Sequence, residues 1–401
     1  MVKSASIEPF RIAIPEGDLD DLRMRLQRTR WPRDVPDADD AYGLPSGRLR
    51  PLVEHWLDGY DWRQQEALLN EHPQFTTLLD GENIHFLHVR SPEPDALPLI
   101  LSLGWPSSQA ELLPITRPLV DPRAHGGDPA DAFHLVAPSL PGFGFSGPTR
   151  TKGWTAKRIA TAWITLMTRL GYDRFGAQGS DWGAMVMPEL GRAAPERLVG
   201  VHLNALVSAP PSDASAADGV TAPERERLER QKAFASQRLG YAQIQSTRPQ
   251  TLAYGLNDSP VGLLAWNADL FDYFGRAAPG AVPIDRDMIL TGASIYWFTQ
   301  TAASSARIYR EAADAFKPQA PSGVPTGVAV FPGDSAIRQF AEASHTIVHW
   351  SEFRRGGHYA AVQAPDLLVE DIRAFFKPLR RPGGPRGLAE DAASRSRTPP
   401  G

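Results

Sequence analysis

Cysteine is absent from this 401-residue chain, which excludes disulfides, thiolate metal sites and a thiol nucleophile. No apolar run approaches the roughly 18 residues that a membrane-spanning helix needs. Neither sign of charge is in excess: 42 Lys and Arg against 46 Asp and Glu leave a formal net charge of −4, with a pI near 6.2. That balance provides no footprint for nucleic acid or an anionic membrane. Met1-Val2-Lys3-Ser4-Ala5-Ser6 leads into no signal-type apolar core, so a soluble, cytoplasmic protein without a membrane anchor is expected. His345 and His349 have a helical metal-ligand spacing, but Thr346-Ile347-Val348 between them reads as a strand. No metal is expected.

What the chain does contain is an alternation of short apolar runs with helical patterns. Residues 1–75 read as a helical leader, with Leu19, Leu22 and Leu26 at helical spacing. From Phe75 the period changes to that of strands: Phe75 to Leu79, Ile84 to Val89, Leu97 to Ser102 and Phe133 to Pro138. A helix around 155–170, a short strand at Tyr172 to Phe175 and another at Leu198 to Leu203 continue the pattern. Such alternation implies parallel βαβ units, an α/β fold with a mostly parallel central sheet flanked by helices. The alternation stops over 207–320, read as an inserted helical cap, and returns over 321–378 with Gly327 to Phe331, Ile347 to Trp350 and a helix near 365–376. The core thus falls in two parts, 76–206 and 321–378, and the Arg-, Pro-, Gly- and Ser-rich 379–401 reads as a disordered tail.

Chemistry concentrates at Gly179-Ser180-Asp181-Trp182-Gly183. The spacing fits a strained strand-to-helix turn that lifts a nucleophile out of a sheet, with small residues on both flanks because nothing larger fits. Ser180 is out of register, since its flanks two away are Gln178 and Trp182. Asp181 is therefore the candidate nucleophile, although an N-cap role would place an Asp here as well. A carboxylate that displaces oxygen or halide from carbon becomes an ester, which water can cleave; a serine would become a stable ether. An aspartate at this turn predicts alkyl transfer followed by hydrolysis.

The partners of such a nucleophile follow it in the order acid, then histidine. Asp334 comes after the returning strand, and His358 follows in Gly356-Gly357-His358-Tyr359 before the last helix. Asp334 would orient the imidazole, and His358 would deprotonate the water that attacks the Asp181 ester. Backbone N–H groups of Trp105, in Leu103-Gly104-Trp105-Pro106, and of Trp182 would form an oxyanion hole. The cap carries Tyr241, Tyr254, Tyr273, Tyr296 and Tyr309, neutral donors able to stabilise an alkoxide.

These anchors, with Arg30-Trp31-Pro32, Asp80-Gly81-Glu82-Asn83-Ile84-His85-Phe86 and Pro138-Ser139-Leu140-Pro141-Gly142-Phe143-Gly144-Phe145-Ser146, resemble the microsomal-type epoxide hydrolases of the α/β-hydrolase superfamily. The likeness runs from about Ile7 to Phe376. It implies the α/β-hydrolase fold, Asp181 as nucleophile, Asp334 and His358 as its partners, and Tyr241 and Tyr309 as activators of the epoxide oxygen. Tyr296 lies 13 residues from Tyr309, a rotation of roughly 220° beyond whole turns on one helix, and is assigned to packing. Two positions depart from the family pattern: Leu103 where histidine is usual, and Ser180 where glycine is usual. No cofactor is implied; the expected partners are a small-molecule epoxide and water, with a homodimer left open. A haloalkane dehalogenase and a ligand-binding protein on a retired hydrolase fold are the alternatives.

Overall fold

Ile7–Phe10 is a strand (β1) at the start of a leader expected to be largely helical. It pairs antiparallel with Gln74–Leu79 (β2), fastening the start of the chain to the edge of the sheet. In the computed structural model, which describes residues 6–37, 39–208, 219–317 and 319–380, the remaining strands are Glu82–Val89 (β3), Leu97–Ser102 (β4), Phe133–Pro138 (β5), Phe175–Ser180 (β6), Leu198–Asn204 (β7), Pro325–Val330 (β8) and Thr346–Glu352 (β9). They form one sheet in the order β1-β2-β3-β5-β4-β6-β7-β8-β9. The pairings are antiparallel up to β3–β5 and parallel from there to β9. Each of the seven residues of β7 is buried, as a central strand covered on both faces requires.

The period of two sorts the sheet's side chains between two cores. Ile100 of β4 joins one core, while its neighbours Leu99 and Leu101 join the other. The leader contributes helices Glu16–Gln27 (α1), Ser46–Asp58 (α2) and Trp62–Leu69 (α3). Leu113–Val120 (α4) follows β4, while Ala156–Arg169 (α5) and Trp182–Ala193 (α6) flank β6 in the chain. Ile159, Trp163 and Leu166 of α5 meet Val186 and Leu190 of α6 in the first core.

The segment between β7 and β8 is helical: Ala222–Gln237 (α7), Gly240–Thr247 (α8), Pro249–Asp258 (α9), Pro260–Phe274 (α10), Arg286–Thr299 (α11), Ala302–Ala306 (α12) and Ile308–Glu311 (α13). The chain then closes with Arg338–Ala341 (α14), Ala360–Gln363 (α15) and Pro365–Phe376 (α16), and α16 covers the second core with Leu368, Ile372 and Phe375. The leader helices rest on this cap rather than on the core sheet. Leu22, Val53 and Trp56 bury against Leu264 and Leu290, Arg48 pairs with Asp272 at 2.5 Å and His55 with Asp287 at 2.6 Å.

Two expectations need correcting. The strand before the elbow is Phe175–Ser180, not Tyr172 to Phe175. The tail expected from 379 begins with packed residues: Leu379 is buried, and Arg380 donates to the carbonyl oxygens of Ala132 and Asp131 at 2.7 and 2.8 Å. The remainder of that tail, 381–401, lies outside the described residues. Among the described residues, no helix is long and apolar enough to cross a membrane.

Candidate active site

Asp181 stands between the end of β6 and the first residue of α6 with φ 54° and ψ −118°, a backbone conformation a non-glycine residue adopts only under strain. The glycines around it are explained by close approach. A Cβ on Gly179 would collide with the Gly183 carbonyl, one on Gly183 with the Ser102 carbonyl, and one on Gly104 with the Asp181 carboxylate itself. Three chain segments therefore meet at this point with no room for a side chain.

The two carboxylate oxygens of Asp181 have different neighbours. Oδ1 accepts the Trp105 backbone N–H at 2.9 Å. Oδ2 lies 3.4 Å from His358 Nε2. Trp182 is the first residue of α6, so its N–H belongs to the donors that a helix leaves free at its N-terminus. Leu103 does not disturb this arrangement: its carbonyl accepts the Gly183 N–H at 3.0 Å, and its side chain packs into the second core. Ser180 is likewise accommodated, with its hydroxyl accepting from Asn204 Nδ2 at 2.9 Å on the neighbouring strand.

Asp334 is buried, and its Oδ2 accepts the Phe331 N–H at 2.9 Å. Its Oδ1 faces His358 Nδ1 across 3.8 Å, longer than a hydrogen bond. Burial raises the pKa of Asp334, and the charge of His358 opposes that rise. For His358 itself, burial lowers the imidazole pKa, but the Asp181 hydrogen bond and charge, then Asp334 and Glu111, outweigh it and the net shift is upward.

The cap supplies the opposite wall. Tyr241, near the start of α8, stacks on Trp105 at 5.5 Å, and Tyr309 of α13 meets the Trp182 ring edge-on at 4.9 Å. The two phenol rings meet edge to face with their centroids 5.7 Å apart. Burial raises the pKa of both, and the charge of Asp181 adds to the rise. Tyr296 sits on α11, a different helix from Tyr309, and donates its hydroxyl to the Ser107 carbonyl at 3.0 Å. It faces away because the chain turns between the two tyrosines, not because of rotation along one helix. Of the other cap tyrosines, Tyr254 is 72% exposed, whereas Tyr273 lines the cavity.

Between the two walls lies a cavity of about 460 Å³, lined by Asp181, His358, Asp334, Tyr241, Tyr309 and a largely apolar surface. Two residues that bear on His358, one by ring stacking and one by charge, were not foreseen from the sequence. Phe274 of α10 stacks on the His358 ring at 4.2 Å, and nothing local distinguishes it from other cap aromatics. Glu111, in the turn Gln109–Leu112, is buried and its carboxyl is pushed up to about 8, chiefly by burial. Its only sequence signal is a lone acid next to an apolar run. His345 and His349 do not form a shared site. His349 instead pairs with Asp371 at 2.8 Å, as does His202 at 2.9 Å.

Comparison with known proteins decides the family. A protein of Stigmatella aurantiaca assigned to the epoxide hydrolases is 44% identical over 93% of this chain and 86% of its own length. Epoxide hydrolase 1 of Sus scrofa is 34% identical over 92% of this chain and 88% of its own. The chain belongs to the epoxide hydrolase family. The family's N-terminal model, described as epoxide hydrolase N terminus, matches residues 7–112 of this member. The solved Aspergillus niger epoxide hydrolase superposes with a TM-score of 0.84 at 32% identity, covering 93% of this chain and 97% of that one. The fold of this epoxide hydrolase family member is accordingly the α/β-hydrolase fold.

Proposed function

We propose that the protein hydrolyses an epoxide to a vicinal diol through a covalent ester on Asp181. Oδ2 attacks a ring carbon, the C–O bond of the ring breaks, and the oxygen that leaves is protonated by the phenol pair Tyr241 and Tyr309. Oδ1 becomes the ester carbonyl oxygen. His358 then removes a proton from water, the resulting hydroxide adds to the Asp181 carbonyl carbon, and the charge that develops on Oδ1 is met by the N–H groups of Trp105 and Trp182. Collapse of this intermediate expels the diol's ester-bound oxygen, which takes the proton held by His358, and the acid formed on Asp181 gives up its proton to re-form the phenol, restoring the carboxylate. Asp334 stabilises the imidazolium that forms midway.

One observation carries this reading. A single carboxylate has one oxygen on a backbone N–H at 2.9 Å and the other 3.4 Å from an imidazole nitrogen, and it opens into a cavity whose far wall bears two phenols. Groups able to act as nucleophile, base and proton donor thus surround a largely apolar cavity of small-molecule size.

A single turnover in ¹⁸O-labelled water tests the ester. The first diol released should carry unlabelled oxygen taken from Asp181, and the label should remain in the enzyme. Label in that first diol would exclude covalent catalysis by Asp181.

A further inference from the structure

We infer that the cavity holds a second recognition point, Arg230, and that the substrates it favours are epoxides carrying a carboxylate remote from the ring. This rests on the epoxide-hydrolase reading above and adds to it. Helix α7 faces the cavity with Arg227, Arg230, Gln231, Phe234 and Ala235, the spacing of one helical face. Charged groups are rarely built into such a wall without a counter-charge. Arg227 has one: it donates to both oxygens of Glu352 at 3.1 and 2.5 Å, and to the Ala336 carbonyl at 3.2 Å. Arg238, just past the helix, has Asp40 at 2.9 Å.

Arg230 is different. Among the described residues it makes no hydrogen bond or ion pair, and its Nε is buried without a partner. The carboxylates lining the cavity are Asp181 and Asp334, both at the reacting end. A guanidinium with unused donors on an otherwise largely apolar wall is a receptor for a planar anion, which it can grip with two parallel N–H bonds.

Its place on the wall sets the shape of the ligand. His358 stacks on Phe274 at 4.2 Å, and Phe274 packs on Phe234 at 5.6 Å. Arg230 lies one turn before Phe234, about 6 Å further along the axis. A substrate that reaches both Asp181 and Arg230 therefore needs an apolar chain between ring and carboxylate, long enough to pass two aromatic side chains.

The test compares terminal epoxides bearing a carboxylate at the far end of a growing alkyl chain with their methyl esters, and the quantity read is the acid-to-ester ratio of kcat/KM within each enzyme. In wild type the ratio should peak at one chain length at about 10-fold or more, as charge-assisted hydrogen bonds allow. The preference should reside in KM, because the contact is the same before and during reaction. Arg230→Met should bring the ratio close to one, and Arg230→Lys should leave it intermediate. A ratio near one at every length in wild type, or the same ratio in Arg230→Met, overturns the proposal. Calorimetric binding of the saturated carboxylate that lacks a ring separates the two readings. Tighter binding to wild type than to Arg230→Met without turnover of any epoxide would keep the Arg230 site and reject the reaction, whereas turnover without that difference would do the reverse.

Discussion

His358 Nε2 stands 3.4 Å from Asp181 Oδ2, so the proposed base and the proposed nucleophile share one electrostatic field. In the resting protein the negative Asp181 is the leading influence holding the imidazole pKa above its ordinary value of 6.5, against burial. Esterification would remove that charge and leave burial opposed only by Asp334 and Glu111. The base would then become neutral, and able to accept a proton, at lower pH than in the free enzyme. Asp181→Asn mimics the uncharged ester. The His358 titration midpoint, followed by NMR, should be above 6.5 in wild type and should fall in this variant. An unchanged midpoint would show that Asp181 does not govern the base.

Replacing the base should divide the reaction into its halves. In His358→Gln the carboxylate keeps its Trp105 donor and can still attack, while water loses its proton acceptor. Turnover should fall by on the order of 10²–10⁴-fold, and mass spectrometry should find the enzyme heavier by one substrate. An inactive variant with no adduct would place His358 in the first half-reaction.

The elbow could be read in the sequence because its glycines are dictated locally, by three backbones in contact. That Asp181, Asp334 and His358 line one cavity could be anticipated because each follows a strand of the same parallel part of the sheet. Other features depended on partners far away in the chain. The strand Phe175–Ser180 is poor in β-branched residues and forms because β4 and β7 pair with it on both sides; Gly176 leaves no space for a Cβ against Phe376. The edge strand Ile7–Phe10 contains Pro9, which edge position tolerates, and so read as part of a helical leader. Phe274 and Arg230 owe their places to how α7 and α10 pack, which no local pattern records.

The two phenols should act in ring opening only. Tyr241→Phe or Tyr309→Phe removes one donor to the leaving oxygen, and each should slow adduct formation by about 10- to 100-fold. Trp105 and Trp182 lie against these rings, so tryptophan fluorescence in stopped flow can follow the step. Hydrolysis of the adduct should keep its wild-type rate. Equal slowing of both half-reactions would assign the tyrosines to packing. Halide release from a chloroalkane that survives both changes would favour dehalogenation.

On the other face of the sheet, Asp371 of α16 ties together two strands. It accepts from His202 at 2.9 Å, His349 at 2.8 Å and the Ser351 hydroxyl at 2.6 Å. Burial pushes its pKa up, but these partners outweigh it and hold the carboxyl well below the usual range. A depressed pKa stabilises the fold above the unfolded-state value of about 3.9, and that contribution is lost as pH falls through the lower folded value. Asp371→Ala also strands the buried His202. It should cost about 2–4 kcal/mol at pH 7 in denaturant unfolding, with the deficit shrinking below pH ~4 as wild type loses the same carboxylate. A deficit that is constant down to acid pH would mean packing, not charge, is lost.

The most demanding prediction concerns a residue with no functional group. A methyl at Gly104 would enter the space of the Asp181 carboxylate, and that carboxylate is held by Trp105 on one side and His358 on the other. It can yield only by rotating away from the cavity or by displacing the Trp105 loop. Either movement is about 1 Å or more, and misplacement on that scale costs on the order of 10²-fold in rate. Gly104→Ala should therefore slow adduct formation by at least about that factor, measured per folded molecule, while every reacting side chain is still present. A folded variant forming the adduct at the wild-type rate would show that the carboxylate can shift without penalty, and the proposed dependence of the chemistry on its two fixed oxygens would fail.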